Sequence, residues 1–301
     1  MEKSKRCTIL VNSCDAYDDL WEPFFKLFSI MWSDCPYDVV LNTESKSYSY
    51  PRLDIKTFSH YKPDKKISWG KRFRYHLSQI KTEYVVNMLD DFFLQSPPNT
   101  AYLERLMDYM DKDQNVATFS FGECVDENNQ TFEPFSDFYE RPSRGAYKYN
   151  LQAGIWKTKK LYSSIKPFES PWEWEVAGNI RSFEDGKKYL TLRDAKKTNI
   201  IQYGFSYGEA WGVFRGKWVT DSVNDLFEKY DINIDFSKRS VFKPNEINLF
   251  EKERLFKKIT RRWHLLRSLE FNIKFIINYT GGIKAYVRKK RATNKRNSTD
   301  I

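Results

Sequence analysis

An α/β fold built on a mostly parallel β-sheet is the architecture that this 301-residue sequence predicts. Three observations lead there. Short β-rich runs alternate with helical apolar stripes through the first 121 residues, the pattern of repeated βαβ units. Two adjacent acids close one of these runs, at the carboxyl edge where open α/β sheets bind ligands. Aromatic residues make up 17% of the chain, so a sizeable core is available and a disordered polyelectrolyte is excluded.

Residues 7–13 (CTILVNS) read as the first strand, stopping at the polar Cys14-Asp15. Leu20, Trp21, Phe24, Phe25, Leu27, Phe28 and Met31 then fall at three/four spacing, one apolar stripe of a helix that Asp34-Cys35-Pro36 ends. Strands follow over 37–41 (YDVVL) and 55–58 (IKTF), and a helix over 69–80. Residues 83–89 (EYVVNML) form a strong strand, and the apolar run beginning at Phe92 reads as another strand directly behind it. A helix over 99–112 and a strand over 115–121 complete the alternation. Residues 122–148 are polar, aromatic and irregular, longer than a mere connection, and such loops are commonly functional. No internal repeat is present.

The charge is divided along the chain. Fifty Lys/Arg against forty Asp/Glu give a net +10. Between residues 252 and 296, fifteen Lys/Arg face only Glu253 and Glu270, a net +13 that leaves −3 for everything else. The expected division is therefore a body over residues 1–240, with halves at about 1–121 and 122–240, and a basic tail over 241–301. In the tail, Leu255, Phe256, Ile259, Trp263, Leu265 and Leu266 mix with Lys257, Lys258, Arg261 and Arg262. That mixture suits a helix lying on an anionic membrane surface, or a packed helix with a solvated basic face. A nucleic-acid binder is a rival prompted by the tail, but the negative body argues against a nucleic-acid partner. Cys7, Cys14, Cys35 and Cys124 lack close-paired spacing, and His60, His76 and His264 are scattered, so neither a zinc ribbon nor a histidine-rich metal site is expected. The apolar run near the amino terminus is too short for a signal-peptide core, and no stretch approaches the roughly 20 apolar residues of a membrane span. The expected location is the cytoplasm.

Chemistry concentrates in four places. In Asn87-Met88-Leu89-Asp90-Asp91, the acids end a buried strand, and hard carboxylate oxygens suit Mg²⁺ or Mn²⁺ bridging to a diphosphate. An acidic turn is the competing reading. In Ser170-Pro171-Trp172-Glu173-Trp174-Glu175, Ser170 and Glu173 form a capping box with Pro171 at the first helical position. Glu173 thus has a structural task, whereas Glu175, placed in the first turn where the helix dipole favours its ionised form, is either a base or, the more common case for a helix acid, a solvated side chain. Arg181 follows six residues later and either faces a phosphate or braces the loop. In Leu151-Gln152-Ala153-Gly154, a polar residue and a glycine interrupt a strand, either for a ligand or as a bulge. Arg215 and Lys217 flank Gly216 and could hold a leaving diphosphate or sit in a solvated turn. Neither a P-loop nor a Rossmann glycine fingerprint occurs.

Together VNSCDAYDDLWEPFF, PYDVVLNTES, EYVVNMLDDFFL, LQAGIW and SPWEWEVAGNIRS resemble, in order and spacing, the GT-A glycosyltransferases, particularly bacterial enzymes of capsule, O-antigen and lipopolysaccharide assembly. The resemblance spans roughly residues 8–220 and implies a GT-A-like Rossmann-type sheet. It implies that Ser13, Cys14, Asp15 and Tyr17 hold the nucleotide of a sugar donor, a UDP-sugar by preference. It further implies that Asp90 and Asp91 match the family's DxD-type metal motif, although the acids here are adjacent. Glu175, with Glu173 as second candidate, takes the place of the catalytic base of inverting members, and Arg181 the arginine about six residues on. Trp174 replaces the usual first acid of the pair. Gln152, Gly154, Arg181, Arg215 and Lys217 are then expected around the donor. A glycan or lipid-linked acceptor would explain a tail on the inner face of the cytoplasmic membrane. A sugar nucleotidyltransferase is the enzymatic alternative, and VNSCDAYDD lacks the glycine-rich basic loop such an enzyme would carry.

Overall fold

The computed structural model describes residues 4–59, 67–122, 130–194, 200–202, 212–214 and 216–243. The chain divides into two units, Met1–Phe242 and Lys243–Ile301. All described residues but Lys243 lie in the first. The basic tail beyond residue 243 and Arg215 lie outside the described residues.

The chain alternates as its periodicity requires. Strand β1 (Ser4–Asn12) leads through a 3-10 turn (Asp15–Leu20) into helix α1 (Trp21–Met31), then β2 (Tyr37–Asn42) and β3 (Ile55–Phe58). Helix α2 (Trp69–Gln79), β4 (Tyr84–Leu89), α3 (Thr100–Lys112) and β5 (Val116–Ser120) follow. The expected strand from Phe92 is absent: Phe92, Phe93 and Leu94 are buried but irregular, because they drop into the core as the chain leaves the sheet. The stretch expected to be irregular contains two short strands, β6 (Gln130–Thr131) and β7 (Phe138–Glu140). Strand β8 is shorter than expected, Gly154–Lys157, and is followed by α4 (Thr158–Ser164) and α5 (Pro171–Val176). Strand β9 (Lys188–Leu192), the hairpin β10 (Val213–Phe214) and β11 (Lys217–Trp218), and α6 (Thr220–Lys229) complete the unit. Gly216 closes the hairpin at φ +78°, a left-handed conformation open to glycine.

Among the described residues, nine strands form one sheet in the order β3-β2-β1-β4-β8-β5-β9-β7-β6. Only β8 and β7 run against their neighbours, so the sheet is mixed and mostly parallel. Helices cover both faces, because side chains alternate along each strand. Ile9, Val11, Val39, Val86 and Met88 face Phe24, Phe28, Leu103, Met107 and Phe227 of α1, α3 and α6. Leu10, Val40, Val85 and Trp156 face Phe73, Leu77, Leu161 and Trp174 of α2, α4 and α5. Strand order grows one way from β1 to β3 and then returns across β1 to β4. The carboxyl ends of β1 and β4 therefore border the topological switch point, where a crevice opens in such sheets. Among the described residues, no helix is long and apolar enough to cross a membrane.

Candidate active site

At the switch point, Asn12 of β1 lies opposite Leu89 of β4, so Ser13-Cys14 and Asp90-Asp91 leave the sheet side by side. Asp90 is buried. The Trp21 indole donates to Ser13 Oγ at 2.6 Å, and both groups lie near enough to the Asp90 carboxyl to favour its ionised form. Burial pushes the Asp90 carboxyl well above its usual range, and the neighbouring Asp91 charge pushes it further. Burial likewise raises Asp91, with Arg239 opposing. Cys14 joins this cluster as a thiol raised to about 11 by burial and then by Asp90. The Tyr17 hydroxyl is also raised by burial and by Asp91.

Two arginines that sequence reasoning missed border the acids. Arg72 of α2 is buried, donates to the Ser13 carbonyl at 3.0 Å and to Asn42 Oδ1 at 2.9 Å, and is held below its usual range by burial despite the charges of Glu44, Cys14, Asp15 and Asp90. A signal for it exists: Arg72 shares the buried stripe of α2 with Phe73, His76 and Leu77, an odd place for a solvated cation. Arg239 lies over the Tyr17 ring at 4.5 Å and donates to Asp19 and to the carbonyls of Ala16 and Gly216. Nothing in the local sequence marks it.

A divalent cation fits this pair of acids. Asp90 Oδ2 is a buried carboxylate oxygen with no hydrogen-bond partner among the described residues. Among the described residues no group of three or more His, Cys, Asp or Glu is placed to hold a metal, so the remaining coordination would fall to phosphate and water, as is common for Mg²⁺.

The remaining expected residues are placed as follows. Asp15 turns away from the acids: its Oδ1 accepts from the backbone N–H of Glu44, Ser45 and Lys46. Burial raises its carboxyl, but the Ser45 hydroxyl and these amides bring it below the usual range, so Asp15 locks the loop after β2. Glu173 caps α5, with Ser170 N–H donating to its carboxylate at 2.8 Å. Arg181 braces: it pairs at 2.7 Å with the fully buried Glu169 and donates to the Ser164 carbonyl. Gly154 has a packing reason, since a Cβ there would stand 2.8 Å from the Phe119 carbonyl oxygen of β5. Gln152 keeps a buried Oε1 without a partner among the described residues. Lys217 lies on β11, partly buried. Phe132, Phe135 and Phe138 pack against Phe119, and Tyr149 stacks on Trp174 at 5.3 Å.

Glu175 differs from expectation in its electrostatics. It lies beyond the first turn of the six-residue α5, too late for the dipole to dominate. Burial pushes its carboxyl up to about 7, opposed by one hydrogen bond from Leu151 N–H at 2.7 Å. A carboxyl poised near neutrality suits a general base better than one fully ionised. Asn87 Nδ2 donates to the Leu151 carbonyl at 2.7 Å, which ties the Glu175 support to β4 three residues before Asp90.

No protein-family model matches the chain, and no curated protein sequence matches it. Among solved structures, S. aureus TarS 1–349 in complex with UDP-GlcNAc is similar at 13% identity and TM-score 0.42, over 63% of this chain and 56% of that one. The mannosyltransferase PcManGT from Pyrobaculum calidifontis, in complex with GDP-Man and Mn²⁺, is similar at 14% identity and TM-score 0.40, over 63% and 54%. A mycobacterial protein is similar at 11% identity and TM-score 0.38. The chain spans less than two thirds of the length of each.

Proposed function

We propose that this chain is a glycosyltransferase that moves a sugar from a nucleotide-diphosphate donor to an acceptor hydroxyl, with inversion at the anomeric carbon. The observation that carries this reading is the pairing of two kinds of acid at one end of the sheet. Asp90 and Asp91 crowd together with an orphaned oxygen at the switch point, while Glu175 has no charged partner among the described residues and burial lifts it to about 7. Burial raises the carboxyls in both places, so what separates the roles is geometry: adjacent acids suit a shared cation, and a lone one suits a proton. A divalent cation on Asp90 and Asp91 would neutralise the donor diphosphate. Ser13, Cys14, Tyr17 and Arg72 line the donor side, and Gln152 borders the junction. Glu175 accepts the proton of the acceptor hydroxyl as that oxygen bonds to the anomeric carbon and the nucleoside diphosphate departs. A UDP-sugar donor, a glycan or lipid-linked acceptor of bacterial surface polysaccharide synthesis, and attachment of the basic tail to the inner membrane face complete the reading.

A thermal-shift panel tests it: UDP-, GDP- and CMP-sugars with Mn²⁺, set against single-stranded RNA. One nucleotide sugar should raise the melting temperature and RNA should not. Stabilisation by RNA alone, or a product retaining the donor's anomeric configuration, would overturn it.

A further inference from the structure

Three adjacent strands each follow an apolar residue, two positions later, with asparagine on the same face. The pairs are Leu10 and Asn12 on β1, Val40 and Asn42 on β2, and Val85 and Asn87 on β4. Leu10, Val40 and Val85 belong to the cluster beneath α2 and α5, so the period of two places all three amides on that side. All three are buried. Burying three amides against apolar helices is costly unless each finds partners, and here they find one another.

The bonds run in one direction. Arg72 Nη1 donates to Asn42 Oδ1 at 2.9 Å, and His76 Nδ1 lies 2.5 Å from the same oxygen. Asn42 Nδ2 donates to Asn12 Oδ1 at 2.6 Å, Asn12 Nδ2 donates to Asn87 Oδ1, and Asn87 Nδ2 donates to the Leu151 carbonyl at 2.7 Å. The Leu151 N–H then donates to Glu175 Oε1 at 2.7 Å. One end of the line is the cation beside Ser13 and the other is the carboxylate of α5.

We propose that Asn42, Asn12 and Asn87 form a relay that fixes the Leu151 backbone from the donor side of the sheet, making Asn87 the positioning residue for Glu175. This rests on Glu175 being the base of the proposed reaction. The geometry gives the relay a purpose that packing alone does not. Residues 149–153 lie outside any strand, so no ladder holds the backbone group on which Glu175 depends. The Asn87 amide supplies that hold. Among the described residues no charged side chain hydrogen-bonds Glu175; Arg181 and Glu169 are paired with each other, and Glu173 is bound to its cap.

The relay is testable on the full chain without a substrate. By NMR, the Glu175 carboxyl carbon and the Asn87 side-chain amide are followed as the pH is raised through neutrality. The Asn87 amide should report the same transition as the carboxyl. In Asn87→Ser, whose side chain cannot span to Leu151, the Glu175 midpoint should rise by about one pH unit, the size of a weakened bond to a charged acceptor. A silent Asn87 amide, or an unchanged midpoint in the folded variant, overturns the relay; if Asn87→Ser does not fold, the unaltered protein decides alone. Transfer that survives Glu175→Gln would remove the base and leave this titration to stand by itself.

Discussion

Arg239 reaches back 220 residues to grip Asp19, its Nε donating to one carboxylate oxygen at 2.7 Å and its Nη2 to the other. Both side chains are almost fully buried. Removing one partner of such a pair strands a charge out of water. Arg239→Met should therefore destabilise the fold by about 3 kcal/mol, read as a lower denaturant midpoint. The double variant Asp19→Asn/Arg239→Met should recover part of the loss. Equal losses in the single and double variants would show that the charge pairing is not the cause.

Glu175 and Glu173 sit two residues apart on α5 and should answer mutation oppositely. Glu175→Gln should cut turnover by at least about 100-fold, the usual contribution of a general base. Glu173→Gln should leave turnover nearly intact, because glutamine also completes a capping box. Turnover in the unaltered protein should climb as pH rises through about 7, where Glu175 loses its proton. Stability should move the other way. The folded pKa lies above the ordinary 4.5, so folding takes up a proton between the two values, and stability falls as pH rises from 4.5 to about 7. Chemical denaturation of Glu175→Gln across that window should show a shallower decline.

Asp90 and Asp91 should bind a divalent cation in competition with protons. Burial raises both carboxyls, so Mn²⁺ must displace protons to bind. Calorimetry in buffers of different ionisation enthalpy should detect proton release, and affinity should weaken as pH falls. Asp91→Asn should abolish the Mn²⁺-dependent rise in melting temperature. A rise that persists in that variant would place the cation elsewhere.

Gly212 lies against the Phe93 ring, and its N–H donates to the Asp91 carbonyl at 2.8 Å. An added Cβ would come within 2.0 Å of that ring, so Gly212→Ala must displace either Phe93 or the backbone beside Asp91. A loss of about 1–3 kcal/mol is expected, as for other overpacked sites. The paired change Phe93→Leu/Gly212→Ala should melt higher than Gly212→Ala alone.

The first half of the fold was legible because each element announces itself locally. TILVN alternates into both layers, and Trp21 to Met31 carries a stripe that one helix can bury. Asp90-Asp91 was legible for the same reason, lying where a strong strand runs out. The dependence of Glu175 on Leu151, and of Asp19 on Arg239, was not legible, since contacts across 24 and 220 residues leave no periodic trace. Asp15 looked like a ligand-facing acid because sequence shows the residue but not the three amides that claim it. The dipole argument for Glu175 failed for a related reason: burial, which depends on the whole fold, outweighs a first-turn effect. The asparagines were visible all along at the ends of LVN, VLN and VVN, yet only strand order makes them neighbours.

The sheet's two outer strands bear on how the protein behaves when concentrated. Among the described residues, one border is the four-residue β3 and the other the two-residue β6. Lys56 on β3 carries an exposed charge paired with Asp38. Such borders offer another chain too short a row of open backbone donors and acceptors to join. Association by strand addition is thereby discouraged, and clumping on heating should follow the loss of the interior rather than precede it.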